Sequence, residues 1–568
     1  VIHDYRRYEP GYGYYPITVL EYKQMCLPYE TEITLKDTST LPIGEIIEKA
    51  SISEVLSHDP SSGKLGQSVI TKHFSSKTLS LIRISTNVGA SIRLTPEHPL
   101  LVKRGNEIRW VPAGKIRQGD LVGYAKYFVK REFSAPYMFK FLPTDTTYVQ
   151  STMDLFKLAK VLGSRQQLSE KLGVKLKTLK SYISGRKAVP LRVVLELASL
   201  LNLKDEDVAQ RIRKVKTAYG TTVGLPEKLN EEFMWLAGIV ATDGNIKVHK
   251  GKNGSVSYIV RVYNNDPNII KKAAQVSAAL GANCRIIEVR KGSFCVEIPS
   301  SLYALVLSRF GIPLGRKSHR LKVPKFMTLL PEKLVGAYLA GVFDGDGSYS
   351  ETKHPRGVNT KIRAIVFLTA SREFAIGLHN LFLRLGILSK VEQEPLRSYT
   401  KLIRGKLAKF KGPFFRVSIK RISDIKTFGQ FVKPAKYAIP RVTYSDYHNL
   451  DKHYEKIRAQ SVEWVKVTNA VTEKLNEPMT VYNLSVSDTE TYIASNFIVH
   501  NCGRAGRPRY DKIGESVLIA KTEDERDYLL ESYVLAQPER IWSKLAVERV
   551  LRSHVLATIA SDFAHTEQ

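Results

Sequence analysis

Tyr22-Lys23-Gln24-Met25 breaks off at Cys26, and Cys502-Gly503-Arg504-Ala505-Gly506-Arg507-Pro508 follows directly on His500-Asn501. With residues 26–501 taken out, the two pieces read Gln-Met-Cys-Gly-Arg-Ala-Gly-Arg-Pro without a gap. An insertion that opens on Cys, closes on His-Asn and is followed by Cys carries the nucleophiles needed to remove itself from a polypeptide. The spacing therefore predicts a precursor: an insertion at 26–501 and a broken host sequence at 1–25 and 502–568.

The chain of 568 residues has room for several compact domains, and 43% apolar residues support ordinary buried cores. No apolar run approaches the length needed to cross a bilayer, and Val1-Ile2-His3-Asp4-Tyr5-Arg6 has no signal-peptide core. A cytoplasmic protein without a membrane partner is expected, and a start in mid-domain suggests a piece of a longer product. The net charge of +31 and a pI near 9.7 favour a nucleic-acid partner through counterion release. Four cysteines, none in a Cys-x-x-Cys pair, argue against structural zinc and a disulfide framework. Cys284 and Cys295 read as small buried residues in strand-like runs.

Residues 26–140 alternate in short runs such as Ser80-Leu81-Ile82-Arg83-Ile84-Ser85, and the same texture returns at 460–501, so one β domain should enclose everything between. Residues 150–215 switch to helical periodicity. There Gln167 to Val174 and Lys175 to Gly185 match the helix-turn-helix of Cro-type repressors. Gly173 would sit in the turn, Leu168, Leu172, Val174, Leu179 and Ile183 would pack, and Lys175, Lys177, Thr178, Lys180 and Ser181 would face a groove. A plain helical spacer with a solvated lysine face is the alternative. Residues 226–445 hold a duplication: Trp235-Leu236-Ala237-Gly238-Ile239-Val240-Ala241-Thr242-Asp243-Gly244 returns as Tyr338-Leu339-Ala340-Gly341-Val342-Phe343-Asp344-Gly345-Asp346-Gly347. A repeat of that length is a domain half rather than a solenoid unit.

The thiol of Cys26 can attack the Met25 carbonyl to give a thioester. In Thr95-Pro96-Glu97-His98, His98 can protonate the departing Cys26 nitrogen and Thr95 can hold the polarised carbonyl. Cys502 would then take the acyl group. The Asn501 side chain can close an imide on its own carbonyl, with His500 assisting, and release the insertion. Every step exchanges one acyl bond for another, so splicing needs neither nucleotide nor metal.

These residues resemble the intein family, whose β-rich self-splicing domain is shared with hedgehog autoprocessing domains. Cys26 to Ile33 is similar to its opening block, Gly89 to Pro99 to its Thr-x-x-His block, and Val481 to Cys502 to its closing blocks. The family usually carries Asp where this chain has Asn483 and His where it has Glu490. That bears on how Cys26 is activated and how transfer to Cys502 is coordinated; slower splicing, or a different reliance on His98 and Glu490, is the expectation.

In the duplicated motif, Ala237 with Gly238 and Ala340 with Gly341 would let two helices approach closely and bring Asp243 and Asp346 together. Gly244 and Gly347 are suited to ending those helices. Phosphodiester hydrolysis uses divalent cations, and oxygen ligands beside phosphate suit Mg²⁺. The motifs resemble the LAGLIDADG homing endonucleases in their single-chain, pseudo-twofold form. The resemblance implies a monomer, Asp243 and Asp346 as metal ligands, and basic residues Lys317 and Lys436, or else Lys433, beside them. The partner would be double-stranded DNA at the uninterrupted host-gene site. Arg261, Arg290, Arg363 and Arg416 on candidate strands, and the run Lys401, Arg404, Lys406, Lys409 and Lys411, are the residues to meet it.

The joined flanks resemble motif VI of superfamily-two helicases, particularly archaeal Ski-like repair helicases, in which Arg504 and Arg507 would contact ATP phosphates. No Gly-x-x-x-x-Gly-Lys-Ser/Thr occurs, so ATP is a cofactor only for the complete host.

The expected chain is thus multidomain: an all-β Hint-type splicing domain (26–140 with 460–501), an α-helical helix-turn-helix insert (150–215), an α+β two-repeat endonuclease (226–445) and short helicase flanks (1–25, 502–568). Two alternatives compete. A helix-turn-helix regulator leaves the split motif unexplained, and a hedgehog-like autoprocessing protein has no need of His500-Asn501-Cys502.

Overall fold

The computed structural model describes residues 2–9, 13–20, 25–50, 52–126, 133–150, 153–218, 220, 222–251, 255–353, 361–395, 399–403, 406–410, 412–439, 461–500 and 522–529. The chain divides into two compact units. One comprises Val1–Lys23 with Gly503–Gln568. Its described parts are an antiparallel strand pair, Ile2–Glu9 against Gly13–Leu20, and a helix at Glu523–Leu529. The other is Gln24–Cys502.

In the larger unit the two ends of the insertion share one twelve-stranded sheet. The long strand Lys64–Thr86 pairs antiparallel with Val462–Val486, from Val467 opposite Thr86 to Val486 opposite Ile70. Strand Leu27–Pro28 docks on the same partner, with Tyr482 opposite Leu27. The last strand, Phe497–His500, joins at Val499 opposite Leu100. Alternation along these strands buries Ile84, Leu94, Val122, Val465, Leu484 and Ile498 in one core. Each large apolar side chain so buried contributes about 1.5–3 kcal/mol. The sheet is therefore what holds Met25-Cys26 close to Thr95, His98 and His500.

Residues 226–439 form two copies of one helix-and-sheet unit. The helix Glu231–Asp243 leads into strands Gly244–Lys250 and Val256–Asn264, and Glu332–Asp346 leads into Gly347–Lys353 and Lys361–Thr369. Each copy ends in a four-stranded sheet with its strands in the same spatial order. Short polar residues start several of the helices. Asn230 Oδ1 accepts from Phe233 N at 3.0 Å, Asp266 Oδ1 from Asn268 N at 2.9 Å and Ser371 Oγ from Phe374 N at 3.2 Å, each satisfying an otherwise orphaned amide. The copies differ at one turn. Strands Arg285–Arg290 and Ser293–Ile298 are joined directly, whereas between Lys390–Gln393 and Phe415–Ile419 the chain inserts a hairpin, Tyr399–Ile403 with Lys406–Phe410.

One sequence expectation changes here. The region read as an α-helical insert also carries a four-stranded sheet built from Thr147–Val149, Val189–Pro190, Lys214–Thr217 and Val223–Gly224. Its core is continuous with that of the duplicated unit. Strands of two to four residues leave no periodic signal to read. Gly244 and Gly347 follow the ends of their helices, in extended backbone at φ −115° and −79°. They are glycines for want of space: a Cβ would lie 2.5 Å from the Arg261 carbonyl oxygen at Gly244 and 2.5 Å from Phe343 Cα at Gly347.

Candidate splicing and nuclease centres

The first centre forms around the Met25–Cys26 peptide bond. Cys26 is buried, its N–H donates to Thr95 Oγ1 at 2.9 Å, and its carbonyl accepts from Thr95 N at 3.0 Å. The Thr95–His98 turn is closed by His98 N donating to Thr95 O at 3.1 Å, and Ala113 N and Gly114 N fasten it from behind. The Met25 carbonyl oxygen accepts a hydrogen bond from Asn483 Nδ2. The role read for Thr95 is thus corrected. Its hydroxyl oxygen meets the nitrogen of the bond, and Asn483 meets the carbonyl, with the Thr95 N–H bond to the Cys26 carbonyl holding the two residues side by side.

His98 is completely buried, and burial pushes its imidazole down to about 3, with repulsion from His500 adding to the effect. The backbone of Met25 and Cys26 pulls the other way, although neither ring nitrogen sits in standard hydrogen-bond geometry. An uncharged imidazole beside a scissile bond can accept a thiol proton and pass one to the departing nitrogen. At the other end of the insertion, His500 packs its ring edge on Trp110 at 4.9 Å between centroids, with Nε2 3.9 Å from Glu490 Oε2. Glu490 therefore faces His500. Asn501, Cys502, Arg504 and Arg507 lie outside the described residues.

The second centre lies where the two motif helices end. Gly238 and Gly341 face each other's helices: a Cβ on Gly238 would come 2.1 Å from the Tyr338 carbonyl oxygen, and one on Gly341 2.2 Å from that of Trp235. This contact brings Asp243 and Asp346 within electrostatic reach. Burial and then the Asp346 charge push Asp243 up to about 6, against the pull of Lys317, Lys436 and Asn264. Burial likewise raises Asp346 against the two lysines. Lys317 Nζ donates to the last carbonyls of the first helix, Val240 at 2.8 Å, Ala241 at 2.7 Å and Thr242. A cation there complements both orphaned carbonyls and the helix dipole. Burial lowers Lys317 to about 8, opposed by Asp346 and Asp243. In the second half Lys436 Nζ lies 3.4 Å from the Gly347 carbonyl oxygen and pulls on both aspartates, whereas Lys433 Nζ donates back to the Gly429 carbonyl.

Several residues here were not read from the sequence. Asn264 Nδ2 donates to Asp243 Oδ2 at 2.8 Å. Asp344, the acid that Ala241 lacks, is fully buried. It accepts from Trp235 Nε1 at 2.7 Å, Ala435 N at 2.7 Å and Lys436 N at 2.8 Å, and so braces the segment bearing Lys436. The motif repeat marked Asp344 as different, but nothing in the sequence named its partners. Cys295 is buried in its strand, whereas Cys284 precedes its strand, is half-buried and lies 3.7 Å from the Ala274 carbonyl.

Arg261, Arg290, Arg363 and Arg416 all stand on sheet strands. The side chains of Lys401, Lys406 and Lys409, and residues Arg404 and Lys411 altogether, are outside what is described. In the middle region, helices Arg165–Lys171 and Leu176–Ile183 are joined through Gly173 at φ +59°. Leu168, Leu172 and Leu179 are buried, while Lys175, Lys177 and Lys180 are exposed. Among the described residues no helix is long and apolar enough to cross a membrane, and no cluster of three or more His, Cys, Asp or Glu forms a ready metal site.

Comparison with known proteins adds the following. The chain is 26% identical over 374 residues to the probable translation initiation factor IF-2 of Methanocaldococcus jannaschii, covering 63% of this chain and 29% of that protein. It is 22% identical over 540 residues to the reverse gyrase of the same organism, covering 84% and 31%. Over 66 residues it is 53% identical to the ATP-dependent DNA helicase Hel308 of Methanocella arvoryzae, covering 12% and 9%. The chain spans less than a third of the length of each of these curated relatives. Among solved structures, the homing endonuclease I-DmoI aligns at 13% identity and TM-score 0.26 over 36% of this chain and 95% of its own. The PabCDC21-1 intein aligns at 22% identity and TM-score 0.18 over 18% and 74%. The family described as the intein splicing domain matches residues 33–501. With that match across most of its length, the chain belongs to the intein splicing domain family.

Proposed function

We propose that the chain excises residues 26–501 from itself and joins Met25 to Cys502, and that the duplicated domain within the excised segment is a double-strand DNA endonuclease. The observation that carries the splicing reading is the Met25–Cys26 bond held from both sides, its nitrogen on Thr95 and its carbonyl on Asn483. Attack of Cys26 Sγ on the Met25 carbonyl forms a thioester as the C–N bond breaks. His98 carries the thiol proton to the released nitrogen. Cys502 then takes the acyl group, Asn501 cyclises with His500 beside it, and an S-to-N shift leaves an ordinary peptide. Asn501→Ala with Cys502→Ala stops the sequence after the thioester; any ligated product from that variant on a denaturing gel refutes the scheme.

The endonuclease reading rests on the buried carboxylate pair at the helix ends, flanked by Lys317 and Lys436. Two carboxylates raised by burial, one of them also by the charge of the other, suit a hard divalent cation such as Mg²⁺, and Asp243 and Asp346 would hold it. When bound, it supplies charge stabilisation at the scissile phosphate. Lys317 and Lys436 set the local positive potential, and Asn264 fixes the Asp243 carboxylate. The substrate is the duplex of the uninterrupted host gene, met by Arg261, Arg290, Arg363 and Arg416. The exposed lysines of Leu176–Ile183 suit a second, major-groove contact by a helix-turn-helix. Incubation of the purified chain with that duplex and Mg²⁺ tests the reading, which fails if no double-strand cut appears.

In this reading 1–25 and 502–568 are helicase segments, supported by the 66-residue identity with Hel308. Arg504 and Arg507 serve ATP only in the complete host. The protein acts as a cytoplasmic monomer, with domains at 26–140 with 460–501, 150–215 and 226–445.

A further inference from the structure

We infer that Asn483 is a catalytic residue of the first acyl shift, donating its amide N–H to the oxyanion that forms on the Met25 carbonyl oxygen. The inference rests on Cys26 being the attacking nucleophile. When Cys26 Sγ bonds to the Met25 carbonyl carbon, the C=O π pair moves to oxygen and the thiol proton leaves to His98. The negative charge then sits on the atom that Asn483 Nδ2 already contacts.

The orientation of the amide is fixed by its other end. Asn483 Oδ1 accepts from Leu484 N at 2.7 Å and from Tyr492 O–H at 2.6 Å. A flipped amide would set NH₂ against the Leu484 N–H, which can only donate, and leave an oxygen facing the carbonyl oxygen of Met25. Only the observed orientation satisfies every partner. Both Asn483 and Tyr492 are fully buried, so the donor is preorganised in a low-dielectric site where stabilising a developing charge counts most. Tyr492 touches no reacting atom and is a positioning residue. Its strand pairs with Phe497–His500, Tyr492 opposite Val499, so the clamp is anchored on the strand that leads to the second junction.

The chemistry explains why a neutral amide stands here. An ionised Asp at this position would present oxygen to the oxyanion and repel it; only its protonated form could donate. Collapse of the oxyanion breaks the C–N bond, the nitrogen takes its proton, and the carbonyl returns to Asn483 as a thioester.

The test uses the full chain carrying Asn501→Ala and Cys502→Ala, with thioester formation read as dithiothreitol-released residues 1–25 by mass spectrometry. Asn483→Ala and Asn483→Leu are expected to slow release by about 10²–10³-fold, while the iodoacetamide alkylation rate of Cys26 and the melting temperature hold. Tyr492→Phe should slow release less and leave the alkylation rate unchanged. If either Asn483 variant melts early, Asn483→Asp decides. Its rate, relative to the Asn483 parent, should fall as pH rises through the titration of the new carboxyl. Release at the parent rate from Asn483→Ala or Asn483→Leu, or a pH-independent ratio in Asn483→Asp, overturns the inference. Cys26→Ala separates the two claims: release from Cys26→Ala would refute the nucleophile, whereas an inert Cys26→Ala with a fast Asn483→Ala refutes only the oxyanion role.

Discussion

The Tyr124 hydroxyl lies 2.9 Å from His379 Nε2, joining a strand of the splicing sheet to a helix of the second copy of the duplicated unit. His379 Nδ1 meets Ser389 Oγ at 2.8 Å, and Asn496 Nδ2 donates to the same tyrosine oxygen at 3.2 Å. Leu383, from that helix, is buried in the splicing core. The splicing sheet and the duplicated unit thus share a packed and hydrogen-bonded seam.

Two buried histidines, one in that seam and one at the Met25–Cys26 bond, make stability depend on pH. Burial depresses His379 to about 4 and His98 to about 3, against about 6.5 in the unfolded chain. The folded protein keeps both neutral, so their contribution is whole above pH 6.5 and falls as acid protonates the unfolded chain. Each histidine should cost about 1.4 kcal/mol per pH unit from 6.5 down towards its folded value. Urea unfolding at pH 7.5, 6 and 5 measures the slope, and His379→Gln, which retains a donor and an acceptor, should reduce it. A slope unchanged by that substitution contradicts the assignment.

The helix pair predicts a graded glycine series. Gly238→Ala and Gly341→Ala each force a methyl against a carbonyl oxygen of the facing backbone, which cannot swing aside, and should destabilise by about 1–3 kcal/mol or more. Gly429, inside the helix Ile422–Phe431 with open space at its Cβ position, is the control. Gly429→Ala should stabilise by about 0.5–1 kcal/mol. Thermal melting of the three variants should rank them in that order.

Asp243 and Asp346 should separate stability from function. Because burial and repulsion raise Asp243 to about 6, its contribution is favourable below its unfolded pKa of about 3.9 and is lost as pH rises through 6. Asp243→Asn should melt no lower than the parent at pH 7.5 without divalent cation, and yet cut no DNA when Mg²⁺ is supplied. A large fall in melting temperature would show the carboxylate to be structural instead.

A charge network in which Lys126, Glu463 and Asp424 are buried crosses the seam as well. Glu463 accepts from Lys126 at 3.2 Å and from Arg421 at 2.8 Å, and Arg421 also reaches Asp424 at 2.7 Å. Glu463→Met leaves Lys126 buried with that partner gone and should cost about 3–5 kcal/mol in denaturant unfolding. Lys126→Met paired with Glu463→Met should recover part of the loss, and full additivity would mean the charges do not interact.

Much of this arrangement was legible in the residues. The repeated Ala-Gly helices ending in acid announced a close helix pair, and the β texture at both ends announced one sheet closed around the rest. What was missed depends on side-chain direction rather than residue type. Thr95 was read on the carbonyl because a hydroxyl suits that task, but its oxygen accepts the Cys26 N–H instead. Asn483 read as the loss of an acid, since nothing in the sequence shows that Tyr492, nine residues on, would fix its amide on Met25. The contacts of Asp344 and His379 were invisible because they bridge segments far apart in sequence.

The central claim is excision with ligation, and intact-mass measurement of the purified chain after incubation, followed by peptide mapping, tests it most directly. Splicing predicts a released segment 26–501 and a tryptic peptide in which Gln24-Met25 runs straight into Cys502-Gly503-Arg504. Fragments 1–25 and 502–568 found only as separate pieces, or a chain that stays whole, would contradict it.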